Sequence, residues 1–181
     1  MSQKLRGLLR EIKEEKNVKT AAEKAVEFVS TAQKLIEGKP DLASSLTGDE
    51  ILAIAEGIGW LLSPEAGRKW EELKRRYKKG LPREEADLGE VKKTQLRKFL
   101  DMVNRVKSEF DPDSAVMLHY RMAYAASRER GLRPFLTILE PALAKIGARR
   151  EKRKEAEADF RRLARLVEAV VAYHAFYGGR D

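Results

Sequence analysis

The sequence predicts an all-α fold, a compact helical bundle of about five to seven helices, and three observations carry that expectation. Apolar residues recur at helical spacing through most of the 181 residues. No period-2 stretch is long enough for a useful strand. The composition, 43% hydrophobic and 36% charged with only 6 Pro and 12 Gly, suits a folded, helix-rich chain better than a disordered one.

The start, MSQKLRGLLREIKEEK, is amphipathic and charged and lacks the apolar core of a secretory signal. Thr20 and Glu23 fit a capping box, and Ala25, Phe28, Val29, Ala32, Leu35 and Ile36 follow on one face until Gly38 and Pro40 stop the run. From Asp49 to Leu62 apolar residues cover most of the helix surface, which predicts burial, with Gly57 and Gly59 as internal weak points. Ser63-Pro64 sets an N-cap with proline at the first helical position, for a helix through Trp70, Leu73 and Tyr77 to Gly80. GLPREEADLGE, with two Gly, a Pro and clustered charge, reads as a boundary. The expected organisation is an N-terminal helical extension over 1–80, a linker over 81–90 and a basic helical bundle over 91–181.

In the second part Thr94 is the expected cap of a helix running to about Phe110, and Asp111-Pro112 starts the next, which ends at Arg130-Gly131. Pro134 opens a helix carrying Phe135, Leu136, Ile138, Leu139, Ala142, Leu143 and Ile146, which Pro141 should kink. A long last helix runs from Arg150 to about Tyr177 and closes at Gly178-Gly179. No internal repeat is visible.

The net charge is +8, and its placement says more than its size. Residues 1–90 hold 17 Lys/Arg and 17 Asp/Glu, whereas residues 91–181 hold 20 and 12, so the whole excess lies in the second part. Such confinement fits a nucleic-acid or acidic-surface partner. With no Cys there is no disulfide, no thiolate nucleophile and no cysteine metal knuckle, which fits a reducing compartment. No apolar run reaches the ~18 residues that span a bilayer, so no membrane partner is expected and the location is read as cytoplasmic.

VKKTQLRKFLDMVNRVK concentrates the charge question. On a wheel of about 100° per residue, Leu96, Phe99, Leu100, Val103, Val106 and Phe110 share one side, while Lys93, Arg97, Lys98 and Arg105 spread over the other with only Asp101 among them. On the next helix Arg121 and Arg128 share a narrow edge opposite Val116, His119, Met122, Ala123 and Ala126. Two readings fit: ordinary solvated faces, since Lys and Arg are good helix formers, or a phosphate-tracking groove whose affinity comes from counterion release. Tyr120 and Tyr124 are expected to pack in the core or at its rim rather than to stack on bases. Arg149 to Lys154 is denser, but Glu151, Glu155, Glu157 and Asp159 allow i,i+4 pairs such as Glu157 with Arg161, so an exposed, self-paired face is expected there. KRRYKK near Lys79 reads the same way.

No catalytic constellation emerges. The two histidines, His119 and His174, sit on apolar faces where packing is the usual role. HExxH, GxxxxGK[ST] and GxSxG are all missing from the sequence. Glu71-Glu72 and Glu84-Glu85 point different ways on a helix, and Asp111 and Asp113 are explained by capping and the helix dipole. No enzyme activity, cofactor or metal site is expected.

Three segments, TQLRKFLDMVNRVK, YRMAYAASRERGLRPFLTILEPALAKI and FRRLARLVEAVVAYHAFYGGR, resemble in order and spacing the three blocks of the Csm small subunit, the all-helical protein of type III-A CRISPR-Cas effector complexes. The resemblance covers roughly residues 88–181. It implies a small helical bundle present in several copies, lining a ribonucleoprotein of antiviral defence beside other Csm subunits. There it helps to hold guide RNA and target strand through sequence-independent basic contacts and is itself non-catalytic. Arg97, Lys98 and Arg128 fall on matching motif positions; Lys93, Arg105 and Arg121 come from the helical wheels. His174, Tyr177 and Gly178 belong to the terminal block, where packing and chain termination are expected. Residues 1–90 are a longer neutral lead than the motif requires. The expected function is therefore a non-catalytic, RNA-contacting small subunit, with a helical protein-interaction module whose basic face meets an acidic protein surface as the alternative.

Overall fold

The computed structural model describes residues 1–76 and 89–179, and the regular elements there are helical: α1 (Ser2–Glu14), α2 (Val18–Glu37), α3 (Gly48–Leu61), α4 (Pro64–Arg76), α5 (Lys93–Ser108), α6 (Pro112–Arg128), a 3-10 turn (Arg130–Leu132), α7 (Arg133–Ala148) and α8 (Arg153–Phe176). The expected all-α bundle is present, and the helix beyond those expected is α1. The linker over 81–90 lies, as far as residue 88, outside the described residues, as do Tyr77 to Lys79 of the KRRYKK segment.

Side chains start several helices. Thr47 and Glu50 form the capping box of α3: the Glu50 N–H donates to the Thr47 hydroxyl at 3.2 Å, and the Glu50 carboxylate accepts from Thr47 N at 2.9 Å. Ser63 and Asp111 cap α4 and α6 as expected, accepting from Ala66 N at 3.3 Å and Ser114 N at 3.0 Å. Two other expected caps are displaced. Asn17, not Thr20, caps α2, its side-chain oxygen accepting from Lys19 N and Thr20 N at 2.9 and 3.2 Å; Asn is the stronger cap, and Thr20 falls inside the first turn. α5 begins at Lys93 without a side-chain cap. Its entry is fixed instead by Val91, which is fully buried and whose N–H donates to Leu62 O at 2.9 Å.

α3 is the axis of the molecule. It packs along α8, with α1 on a second flank, while α2 lies on α7 and α5 on α8. The buried residues of residues 1–76 and of 89–179 join in one hydrophobic core. Gly57 and Gly59, read from the sequence as weak points, are where neighbours come closest: a Cβ at Gly57 would stand 2.0 Å from the Phe28 ring, and one at Gly59 would stand 2.9 Å from His174 N. Phe99 meets Phe135 and Phe110 meets Phe160, with ring centroids 5.7 and 5.5 Å apart.

The loop between α2 and α3 is held by side chains from α7 and α8. Lys145 donates to Glu37 O and Lys39 O at 2.8 and 2.5 Å, and Arg149 donates to Pro40 O at 2.6 Å. Arg162 Nε donates to Leu46 O at 2.7 Å. Asp159 accepts from Leu42 N and Ala43 N, both at 2.8 Å. Asp159, expected on an exposed face, is thus fully buried. It sits on the inner side of α8, where two backbone N–H donors and the Arg149 guanidinium at 2.8 Å replace the water it loses. The expected pair of Glu157 with Arg161 forms at 2.8 Å.

His174 is packed, as expected, with Nε2 2.9 Å from Val91 O and no exposed surface. α8 then ends at Gly178, whose φ of 90° is the left-handed conformation that favours glycine.

Candidate nucleic-acid interface

α5 turns Leu96, Phe99, Val103 and Val106 inward, and α6 turns Ala115, Leu118, Met122 and Ala126 inward. The inward side of α6 differs from the expected one. Ala123 is exposed, Val116 is half-buried, and His119 is half-buried with Nε2 3.5 Å from a Glu140 carboxylate oxygen. The i, i+3, i+7, i+11 series from Ala115 is what seats in the core, and it carries Tyr120 and Tyr124 round to the solvent side.

Between α5 and α6 lies a cleft of about 460 Å³. Phe99 and Met102 supply apolar wall, Lys98 and Arg121 supply cations, and Tyr120 and Tyr124 complete the lining. The tyrosines are 64% and 61% exposed, which rules out core packing and leaves both at the rim, lining the cleft. The Arg128 guanidinium carbon stands 4.9 Å from the Tyr124 ring centroid, a cation–π contact that adds a third cation beside the cleft. Among the described residues, no Asp or Glu lines it.

Arg121 also lines an adjoining depression of about 310 Å³, which it shares with Arg105, Glu109, Asp111 and Asp113. Arg105 therefore stands among carboxylates, Lys98 borders only the cleft, and Arg121 borders both spaces. Lys93 and Arg97 line neither space. Lys93 is half-buried at the start of α5, near enough to His174 to disfavour its protonation, and both Lys93 and Arg97 have partners of their own. The structure thus gathers Lys98, Arg121 and Arg128 around one cleft, with Arg105 at its acidic neighbour.

The remaining basic residues of the second part are largely committed elsewhere. Lys145, Arg149 and Arg162 hold the α2–α3 loop. Arg153 donates to Phe110 O at 2.7 Å, Lys107 pairs with Glu168 at 2.8 Å, and Arg150 pairs with Asp113 at 2.5 Å. The sequence does carry a signal for the tyrosine cleft. Met117, Tyr120, Arg121, Tyr124 and Arg128 fall at i, i+3, i+4, i+7 and i+11, a single face that mixes aromatic and basic residues.

Among the described residues, no group of three or more His, Asp or Glu side chains is placed to hold a metal ion, and no helix is long and apolar enough to cross a membrane.

No curated protein and no solved structure matches this chain. The family described as Csm2 Type III-A matches over residues 72–180, starting within α4, ahead of the Leu88 start read from the sequence, and taking in α5 to α8. With that match over more than half of its length, the chain belongs to the Csm2 family of type III-A CRISPR-Cas small subunits.

Proposed function

We propose that this subunit contacts the backbones of guide RNA and target strand through the α5–α6 face, bracing a type III-A ribonucleoprotein in antiviral defence without catalysing a reaction itself. The observation that carries the reading is the cleft: Lys98 and Arg121 line it, Arg128 stands over Tyr124 beside it, and among the described residues no carboxylate lines it. Cations so placed lower the potential for a passing phosphate chain and release its condensed counterions, which gives affinity without reading sequence. On this reading Lys93 and Arg97 of α5 add to the track from outside the cleft, and Arg105 from its acidic neighbour. A single copy binds weakly on this reading; further copies of the chain in a cytoplasmic complex with other Csm subunits multiply the contacts into avidity.

The test is fluorescence anisotropy of a labelled, unstructured RNA of random sequence across a salt series. The Arg97→Ala, Lys98→Ala, Arg121→Ala, Arg128→Ala quadruple variant, checked for folding, runs beside the native protein. Native binding with a log-log salt slope of several units, lost together with affinity in the variant, is the expected result. If neither protein binds even at low salt, the face is a wet surface or a contact for an acidic protein, and the RNA reading is abandoned.

A further inference from the structure

We infer that the α5–α6 cleft seats an unpaired nucleobase of a single-stranded RNA, stacked against Tyr120 and Tyr124, with Lys98 and Arg121 on the phosphates to either side. The inference rests on the reading of this face as an RNA interface and goes beyond it, because a phosphate track alone needs no aromatic residues and no cavity. Two tyrosines one helical turn apart, each more than half exposed, stand on the solvent side of α6. They face a cleft walled by Phe99 and Met102, whose volume of about 460 Å³ falls in the range that takes small ligands.

Aromatic rings beside cations are the means by which proteins hold single strands: every base has a π-face, so stacking tolerates any sequence while the cations track the backbone. The Arg128 contact restrains the Tyr124 ring and lowers the entropy lost when a base settles on it. Charge complementarity fixes the direction of the strand. Its phosphates are drawn to Lys98, Arg121 and Arg128, and are repelled where Glu109, Asp111 and Asp113 line the adjoining depression. A base paired in a duplex has both faces stacked and cannot enter.

The experiment compares three labelled ligands of equal length by anisotropy at one low ionic strength: a 12-nucleotide oligouridylate, the same ribose-phosphate chain without bases, and a 12-base-pair RNA duplex. Each is measured with the native protein and with a Tyr120→Leu, Tyr124→Leu variant. The native protein should prefer the base-bearing single strand over the abasic one by about tenfold, the ratio one well-stacked base supplies. The variant should bring that ratio to about 1, and a salt series with the oligouridylate should give it the same slope as the native protein. Both tyrosines are largely exposed, so matched thermal melts are expected; a 2-aminopurine placed mid-strand gives a second reading in the native protein, its fluorescence quenched on stacking. Equal binding of base-bearing and abasic strands, or no 2-aminopurine quenching, overturns the base seat while the phosphate track stands. If none of the three ligands binds, both fall together.

Discussion

Asp159 on α8 accepts the backbone N–H of Leu42 at 2.8 Å across 117 residues of chain, and its second oxygen meets Arg149 at 2.8 Å. The carboxylate has no exposed surface, so its charge is tolerated only because two backbone donors and a guanidinium surround it. This cluster and the carbonyls held by Lys145 and Arg162 order the loop on which α3 begins. α3 in turn backs α8, the helix that supports α5. The basic face is therefore only as well placed as a loop distant from it in sequence.

Asp159→Ala strips that loop of an acceptor for two amides and leaves Arg149 without its carboxylate. The expected loss is about 3–5 kcal/mol, as for removing one partner of a buried pair. Urea denaturation measures it directly. A loss below about 1 kcal/mol would mean that water reaches the site and the loop holds without the carboxylate.

Gly59→Ala and Gly7→Ala should move stability in opposite directions, although both put the same methyl into a helix. At Gly59 the new Cβ would lie 2.5 Å from Tyr173 Cβ and 2.9 Å from His174 N, forcing α3 and α8 apart at a cost of about 1–3 kcal/mol. At Gly7 nothing lies within 4 Å, and removing glycine from the interior of a helix gains about 0.5–1 kcal/mol. Melting temperatures of the two variants should bracket that of the native protein, by roughly 2–4 °C per kcal/mol at this size. A stabilised Gly59→Ala would show that the α3–α8 contact is looser than its geometry implies.

Acid should weaken the fold through His174. Burial is the largest influence on it and holds its pKa below the ordinary 6.5, outweighing the Val91 and Leu62 carbonyls and Glu90, which raise it; Lys93 lowers it further. Below pH 6.5 the unfolded chain therefore binds a proton that the folded chain refuses, so this contribution to stability is intact above 6.5 and declines as pH falls toward the depressed value. His174→Gln keeps a donor for Val91 O and cannot titrate. The difference in unfolding free energy between native protein and variant should shift in the variant's favour from pH 7 to pH 5. Parallel pH profiles would show that His174 protonates in place without cost.

What could be read from the sequence was local. Ser63 and Asp111 cap their helices where a cap-plus-proline pattern says so, because both partners lie within one turn. The burial of Asp159 is not legible for the same reason: its sequence neighbours offer i,i+4 partners, and nothing local announces Leu42. Likewise the charge excess of the second part looks uniform along the chain, yet Lys145, Arg149 and Arg162 are spent on carbonyls of the α2–α3 loop while Lys98 and Arg121 stay at a surface cleft. Tertiary contact divides cations that composition cannot. Against the burial habit of tyrosine, Tyr120 and Tyr124 lie on the solvent side because Ala115, Leu118, Met122 and Ala126 make the stronger demand on the core.

That division of cations makes a quantitative prediction for RNA binding. Each phosphate neutralised on a single strand contributes about 0.7 to the log-log salt slope. Lys98→Ala should therefore lower the slope by about 0.7, since Lys98 lines only the cleft, where no described carboxylate stands. Arg105→Ala and Arg121→Ala should each lower it by less, because both line the depression that holds Glu109, Asp111 and Asp113. An Arg150→Ala, Arg161→Ala double variant should leave the slope unchanged although it removes two charges, as these arginines are paired with Asp113 and Glu157 at 2.5 and 2.8 Å. Anisotropy titrations between 50 and 300 mM salt decide the matter. If all the variants lose slope in proportion to charge removed, the protein binds RNA by its net charge alone and the α5–α6 face has no special part.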